Sequence, residues 1–439
     1  MQNQITSRIL ATALACLVTG SSFAQGIVLP GAGPINRSMG GASTAAPIDA
    51  AGALLWNPGS ITGLGGSQMM FGAEFLYTRT TLDSSLPADA FGPGVPGGPV
   101  SGSSDSHSGV PVLPTIALVY SNPDSDFAYG LGVFTIGGFG VNYAASGTNP
   151  LLTAQPPNGF GIGNAYSRLN LLQIAPTVAV QLVDGLSIGF APTVTMGDLA
   201  LAPALFAAPD NADGGLPTYS DAQNGRWRYA LGFQVGVYLE TMSGWNFGLS
   251  FKSKQWFEEF EFQSAGETGA PRTLTANPEY PMIISLGTSF TGFEGWVSAV
   301  DVRYIDYANA SVFGDDAAFQ ADGSVPGLGW DSTVGVALGL QREFQNGVSL
   351  RAGYDFGQSP ISNDKTGFNV LSSALWNHAV TTGATLPVNH ALSMSLAYVH
   401  VFEASSSGAI QTPAGPVPGS SVEITQVSDT LSMGFDVKF

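Results

Sequence analysis

Past residue 66 the chain alternates between apolar and small or polar side chains. Val334, Val336, Leu338 and Leu340 are interleaved with Thr333, Gly335, Ala337, Gly339 and Gln341. Tyr229, Leu231, Phe233, Val235, Val237 and Leu239 repeat the pattern, as do Leu392, Met394, Leu396, Tyr398 and Phe402. A period of two puts one kind of side chain on each face of a β-strand. Fourteen such segments are expected, with cores near 67–80, 113–121, 127–136, 166–182, 186–200, 226–239, 246–262, 281–290, 296–307, 331–341, 349–357, 377–386, 391–402 and 425–439. The last reads TLSMGFDVKF and ends on an apolar ring, Phe439. Chain ends fray in water, so an apolar terminal strand has to be tied into a sheet or face lipid.

The connections alternate in length. Short turns such as Val-Asp-Gly (183–185) and Phe-Gln-Asn-Gly (344–347) carry hairpin signals. Between the short ones fall long connections at about 81–112, 143–165, 201–225, 263–280, 308–330, 358–376 and 403–424. An even strand count with short turns at one end and long loops at the other is the signature of a transmembrane β-barrel, here with both termini on the short-turn, periplasmic side. The last strand is then expected to pair with the first and abolish the sheet edge.

Composition supports this reading. Only 10% of residues are charged, against roughly 25% in soluble proteins, and mean hydropathy is slightly positive at +0.19. The expected mature region has no run of about 18 apolar residues, as a membrane-spanning helix would need. Closed barrels are the other structure that satisfies its backbone in lipid. At the start, Arg8, the apolar stretch 9–18 and Ser22-Phe23-Ala24 read as a signal peptide over 1–24, with the mature chain beginning at Gln25. Cys16, the only cysteine, falls inside it, so disulfides and cysteine metal sites are excluded. A net charge of −18 argues against nucleic acid.

Residues 25–66, small, apolar and almost uncharged, do not alternate. Such a stretch is expected to pack as a plug inside the barrel, whose inward faces are rich in Gly, Ala, Ser and Thr. The order of a signal peptide, SMGGASTAAPIDAAGALLWNPGSITGL (38–64) and fourteen strands resembles the FadL-type outer-membrane transport family for long-chain fatty acids and other hydrophobic compounds. FAYGLGVFTIGGFGVNY (127–143), GLSIGFAPTV (185–194), DVRYIDY (301–307) and LRAGYDFGQSPI (350–361) resemble family patterns in the same order, so the likeness covers the whole mature chain. It implies an all-β, 14-stranded antiparallel barrel (67–439) in the bacterial outer membrane, plugged by a hatch (25–66) bearing an Asn-Pro-Ala motif. Asn57 and Pro58 match that motif, and Gly59 stands where Ala is usual. By itself Asn-Pro is an ordinary turn signal.

The function implied is passive uptake of a hydrophobic small molecule, first of all long-chain fatty acids, with aromatic or aliphatic hydrocarbons as the alternative. A structural or adhesive barrel whose plug never opens is a further reading. The resemblance places Ile27, Val28 and Leu29 at an internal ligand pocket. Leu199, Leu201, Leu205 and Phe206, in the unusually apolar stretch LALAPALFAAPDN (199–211), mark a capture site, with Leu151, Leu152, Phe160 and Ile162 of loop 143–165 as its partner. Arg168, Lys252, Lys254 and Arg303 are candidate partners for a carboxylate. A terminal aromatic, Phe439, resembles an assembly signal read by the barrel-assembly machinery; outer-membrane lipid is the other expected partner, and the protein is expected to be a monomer. No cofactor or metal is expected, since His107, His378, His390 and His400 lack ligand spacing. Gly185-Leu186-Ser187-Ile188-Gly189 matches G-x-S-x-G but follows a turn and opens an alternating strand, whereas a hydrolase elbow joins a strand to a helix. No enzymatic activity is expected.

Overall fold

The structure, a computed structural model, describes residues 25–122 and 124–439; the expected signal peptide lies outside the described residues. Fourteen long strands form the wall: β1 (Gln68–Leu86), β2 (Val112–Ser121), β3 (Phe127–Tyr143), β4 (Ala165–Val183), β5 (Leu186–Ala202), β6 (Arg228–Glu240), β7 (Trp245–Lys252), β8 (Met282–Phe290), β9 (Trp296–Asp306), β10 (Thr333–Glu343), β11 (Ser349–Gly357), β12 (His378–Pro387), β13 (Leu392–Gly408) and β14 (Ser421–Lys438). Every neighbour pairs antiparallel, and β1 pairs with β14 from Gln68↔Lys438 to Ser85↔Ser421, so the sheet closes on itself. Phe439 extends this closure: its N–H donates to Ser67 O at 3.1 Å, and its ring is exposed.

Alternation sorts the two faces. On β14, Leu431 and Met433 are exposed while Thr430 and Ser432 are buried. On β9, Val300, Val302 and Tyr304 face out while Asp301 and Arg303 face in. An outward band of Phe, Leu, Val and Tyr would be an aggregation surface in water; against lipid it is the solvated face.

Two expectations are corrected. The segment 246–262 is not one strand. β7 stops at Lys252, the chain resumes pairing at Gln255–Phe257, and Phe260–Ala265 leaves the wall to form a hairpin with Pro271–Ala276. The alternating pattern continues through Phe260 and Phe262, but their rings are buried in the core beneath the loops. Likewise the long connection after β1 is not all loop. β1 runs on to Leu86, and Val100–Asp105 pairs back on it.

Residues 25–66 fill the lumen. They form α1 (Gly33–Ser38), with Pro34 in its first turn, then α2 (Ala50–Trp56), whose N-cap Asp49 accepts from Gly52 N, and a 3₁₀ turn at Pro58–Leu64 capped by Asn57. Side-chain capping supplies acceptors for N–H groups that a helix start leaves unpaired. Nearly all of this segment is buried.

Candidate functional site: the plugged lumen and its cavities

The plug is held by polar side chains that the strands turn inward. Asp301 Oδ2 on β9 accepts from Ser43 N (2.8 Å), Thr44 N (2.9 Å), Thr44 Oγ1 (2.8 Å) and Arg303 Nη2 (2.9 Å). Arg303 also donates to the carbonyls of Pro30 and Gly41, and its guanidinium lies 3.5 Å from the centre of the Trp56 ring. Glu74 on β1 pairs with Arg37 at 2.6 Å and accepts from Gly33 N at 2.9 Å. These charges are buried, so each needs its partner.

Asn57 donates from Nδ2 to Thr44 O (2.7 Å) and to Val237 O on β6 (2.9 Å), and accepts from Gly59 N at 3.0 Å. It therefore ties the plug to itself and to the wall. A Cβ at Gly59 would stand 2.7 Å from Gly236 O, so the residue that departs from the family motif also packs closely on the wall here.

The start of the described chain is anchored separately. Gln25 Nε2 donates to Asp355 (2.8 Å), and Gln25 N to Trp376 O (3.0 Å). Tyr307 donates to Gln25 O (2.7 Å) and accepts from Val28 N (3.1 Å). Burial holds the Tyr307 phenol well above its ordinary range, so it stays a donor.

Ile27, Val28 and Leu29 meet a break in the wall. β3 carries a bulge between Thr135 and Gly137, where Ile136 and Gly137 are both buried. On its β2 side, pairing ends at Thr115↔Phe134 and resumes only where Asn142 meets Ser106 and His107. The intervening edge is met by the N-terminal segment: Leu29 N donates to Ile136 O (3.1 Å), Gly138 N to Ile27 O (3.3 Å), and Val28 bridges Gly137. A bulge bends its strand and can terminate pairing with a neighbour. A cavity of about 330 Å³ lies here, lined by Gly26–Leu29, by Leu76 and Thr78 of β1, and by Gly137–Gly140 of β3.

A second, smaller cavity of about 80 Å³ lies toward the long loops. All four capture residues expected from the sequence, Leu199, Leu201, Leu205 and Phe206, line it together. Leu199 and Leu201 belong to β5, which runs two residues into the expected loop, and Leu205 and Phe206 to the loop proper. Leu151, Phe160 and Ile162 pack against the same apolar core. Val312, Phe313, Val325, Leu328, Phe368 and Leu371 line it too. Sequence reasoning missed these, because their loops carry isolated apolar residues that only the fold gathers.

Of the four basic candidates, only Arg168 lines either cavity, and its Nε pairs with Asp198 at 2.8 Å. Lys254 pairs with Glu279 at 2.8 Å. Lys252 is buried and donates to Gln173 Oε1 at 3.2 Å. Arg303 is engaged by the plug. Ser187 is buried against the plug, accepting from Thr62 Oγ1 at 2.8 Å, on a strand that no helix follows.

A closed barrel with an apolar outer band, a lumen filled by its own N-terminal segment and cavities beside that segment and beneath the long loops defines a plugged membrane-barrel architecture. The chain belongs to the outer membrane transport protein family described as "Outer membrane protein transport protein (OMPP1/FadL/TodX)", which matches residues 15–439. It is accordingly a multi-pass barrel of the bacterial outer membrane. Its fold is similar to that of the P. putida toluene transporter TodX (TM-score 0.67, 16% identity, 94% of this chain and 99% of that one). It is similar too to the Ralstonia pickettii toluene transporter TbuX (0.67, 16%, 94% and 99%) and to a Pseudomonas aeruginosa FadL homologue (0.69, 14%, 94% and 100%). No curated protein sequence matches it significantly.

Proposed function

We propose that this protein is a passive channel for neutral hydrophobic compounds, aromatic hydrocarbons foremost, and that they leave sideways through the gap beside β3. The observation that carries this reading is the cavity at the N-terminal segment. It touches that segment on one side and, on the other, the stretch of β3 that β2 leaves unpaired. Ligand captured under the loops moves from the apolar cavity to the N-terminal one. Displacement of Ile27–Leu29 then frees the edge of β3, and the solute passes between β3 and the stretch 107–111 that leads into β2, and so into lipid. Its partition into hydrocarbon drives the last step.

Two observations favour a neutral solute over a fatty acid. Among the described residues no charged side chain lines the outer cavity. The one basic candidate at the inner cavity is already paired. The inner cavity, about 330 Å³, is large enough for such a solute, since apolar cavities of ~150 Å³ hold benzene.

The test is uptake of labelled toluene and labelled oleate by cells with this protein as their only such channel, beside a variant lacking Gln25–Leu29. Toluene uptake that the truncation alters supports the reading. Oleate uptake without toluene uptake would return the substrate to the fatty-acid class. Uptake of neither, with the barrel assembled, would leave a structural barrel.

A further inference from the structure

Two cavities in series need a junction, and among the described residues only Phe139 and Leu169 line both. They face each other directly across the β3–β4 ladder. Leu169 is buried and Phe139 partly buried. The register places both side chains on the lumen face, since direct cross-strand partners share a face. We propose that this pair is the internal gate of the channel and sets the largest solute that crosses from the outer cavity to the inner one. The proposal rests on the uptake function above.

The local sequence gives Phe139 freedom to act as a gate. It sits in Gly137-Gly138-Phe139-Gly140, so its ring is the one side chain in that run. Along its own face of the strand the next positions are Gly137, which has no side chain to confine the ring, and Val141. The gate is also joined to the N-terminal segment, because Gly138 N donates to Ile27 O at 3.3 Å. Movement of that segment is thereby coupled to the backbone that carries the ring. The ring packs against the apolar core, so a purely structural role would change stability and leave the size preference intact.

The experiment compares uptake of toluene and of the bulkier pyrene by the full-length protein and by F139A, L169A and F139W, each first checked for the heat-modifiable mobility of a folded barrel. The pyrene-to-toluene ratio is expected to rise about tenfold in F139A and L169A, in line with the discrimination that small volume changes give in apolar sites. In F139W the ratio falls while toluene still enters. Wild-type uptake with the same ratio in all three folded variants would overturn the gate and leave the channel function standing. Wild-type cells that admit neither compound would sink both.

Discussion

The hydroxyl of Tyr307 accepts the backbone N–H of Val28 at 3.1 Å and donates to Gln25 O at 2.7 Å. One side chain thus holds the middle of the segment that meets the β3 edge and the residue that leads into it. Its ring meets Trp330 edge-on at 5.1 Å and lies 6.1 Å from Phe313, a residue of the outer cavity. Tyr307 therefore links the aromatic residues beneath the long loops to the N-terminal segment.

Tyr307→Phe keeps the ring packing and removes both hydrogen bonds. Each bond contributes about 1 kcal/mol, with a further penalty for a buried group left unpaired. Faster amide exchange at Ile27–Leu29, with unchanged protection in β9, is the expected outcome. Hydrogen exchange on the purified barrel reads it, and unchanged exchange at Val28 would show that Tyr307 does not hold the segment.

Asp301 and Arg303 form a buried pair at 2.9 Å that also anchors the plug. Asp301→Ala leaves the guanidinium uncompensated, a loss of about 3–5 kcal/mol. Increased cleavage of residues 25–66 by an added protease and a larger single-channel conductance are expected, with the barrel still folded. The double variant Asp301→Ala, Arg303→Met should be less damaged than Asp301→Ala alone, because the Arg303 guanidinium is no longer left without its carboxylate, while Asp355 keeps its bonds to Gln25 and Trp376. A double variant that is worse than the single would refute the pairing argument.

Gly236 on β6 faces Asn57 so closely that a Cβ there would overlap Asn57 Oδ1 and stand 2.8 Å from Pro58 Cδ. Gly236→Ala should push the Asn57–Pro58 turn off the wall and weaken the Asn57–Val237 bond of 2.9 Å. Overpacking of this kind costs about 1–3 kcal/mol. A lower thermal midpoint is expected, and Gly236→Val should lower it further. Equal midpoints for all three proteins would mean that the plug does not rest on the wall at this point.

The strands were legible because a barrel writes its two solvents into the chain. Lipid outside and a polar lumen inside impose a period of two, visible at Val334–Leu340 and again at Leu431–Phe439. The plug was legible as a segment without alternation, though not as helical turns, since its short helices hold by capping and by contact with the wall. The misread segment 246–262 has an equally plain cause. Phe260 and Phe262 keep the period of two but belong to a hairpin outside the wall, and alternation does not say which sheet a strand joins.

Taken alone, the sequence determined the barrel, its closure by the last strand, the plug and the apolar stretch at 199–211, because each depends on composition or local period. The tertiary structure decided where these meet. It placed Val28 against Gly137 and Phe139 across from Leu169, and it gathered apolar residues of separate loops into one cavity. It also engaged Arg303 and Lys254 with Asp301 and Glu279, which removed them as free cations. Those relations join residues far apart in the chain. No local pattern encodes them, since they follow from strand register and from the one way the plug fits the glycine-lined wall.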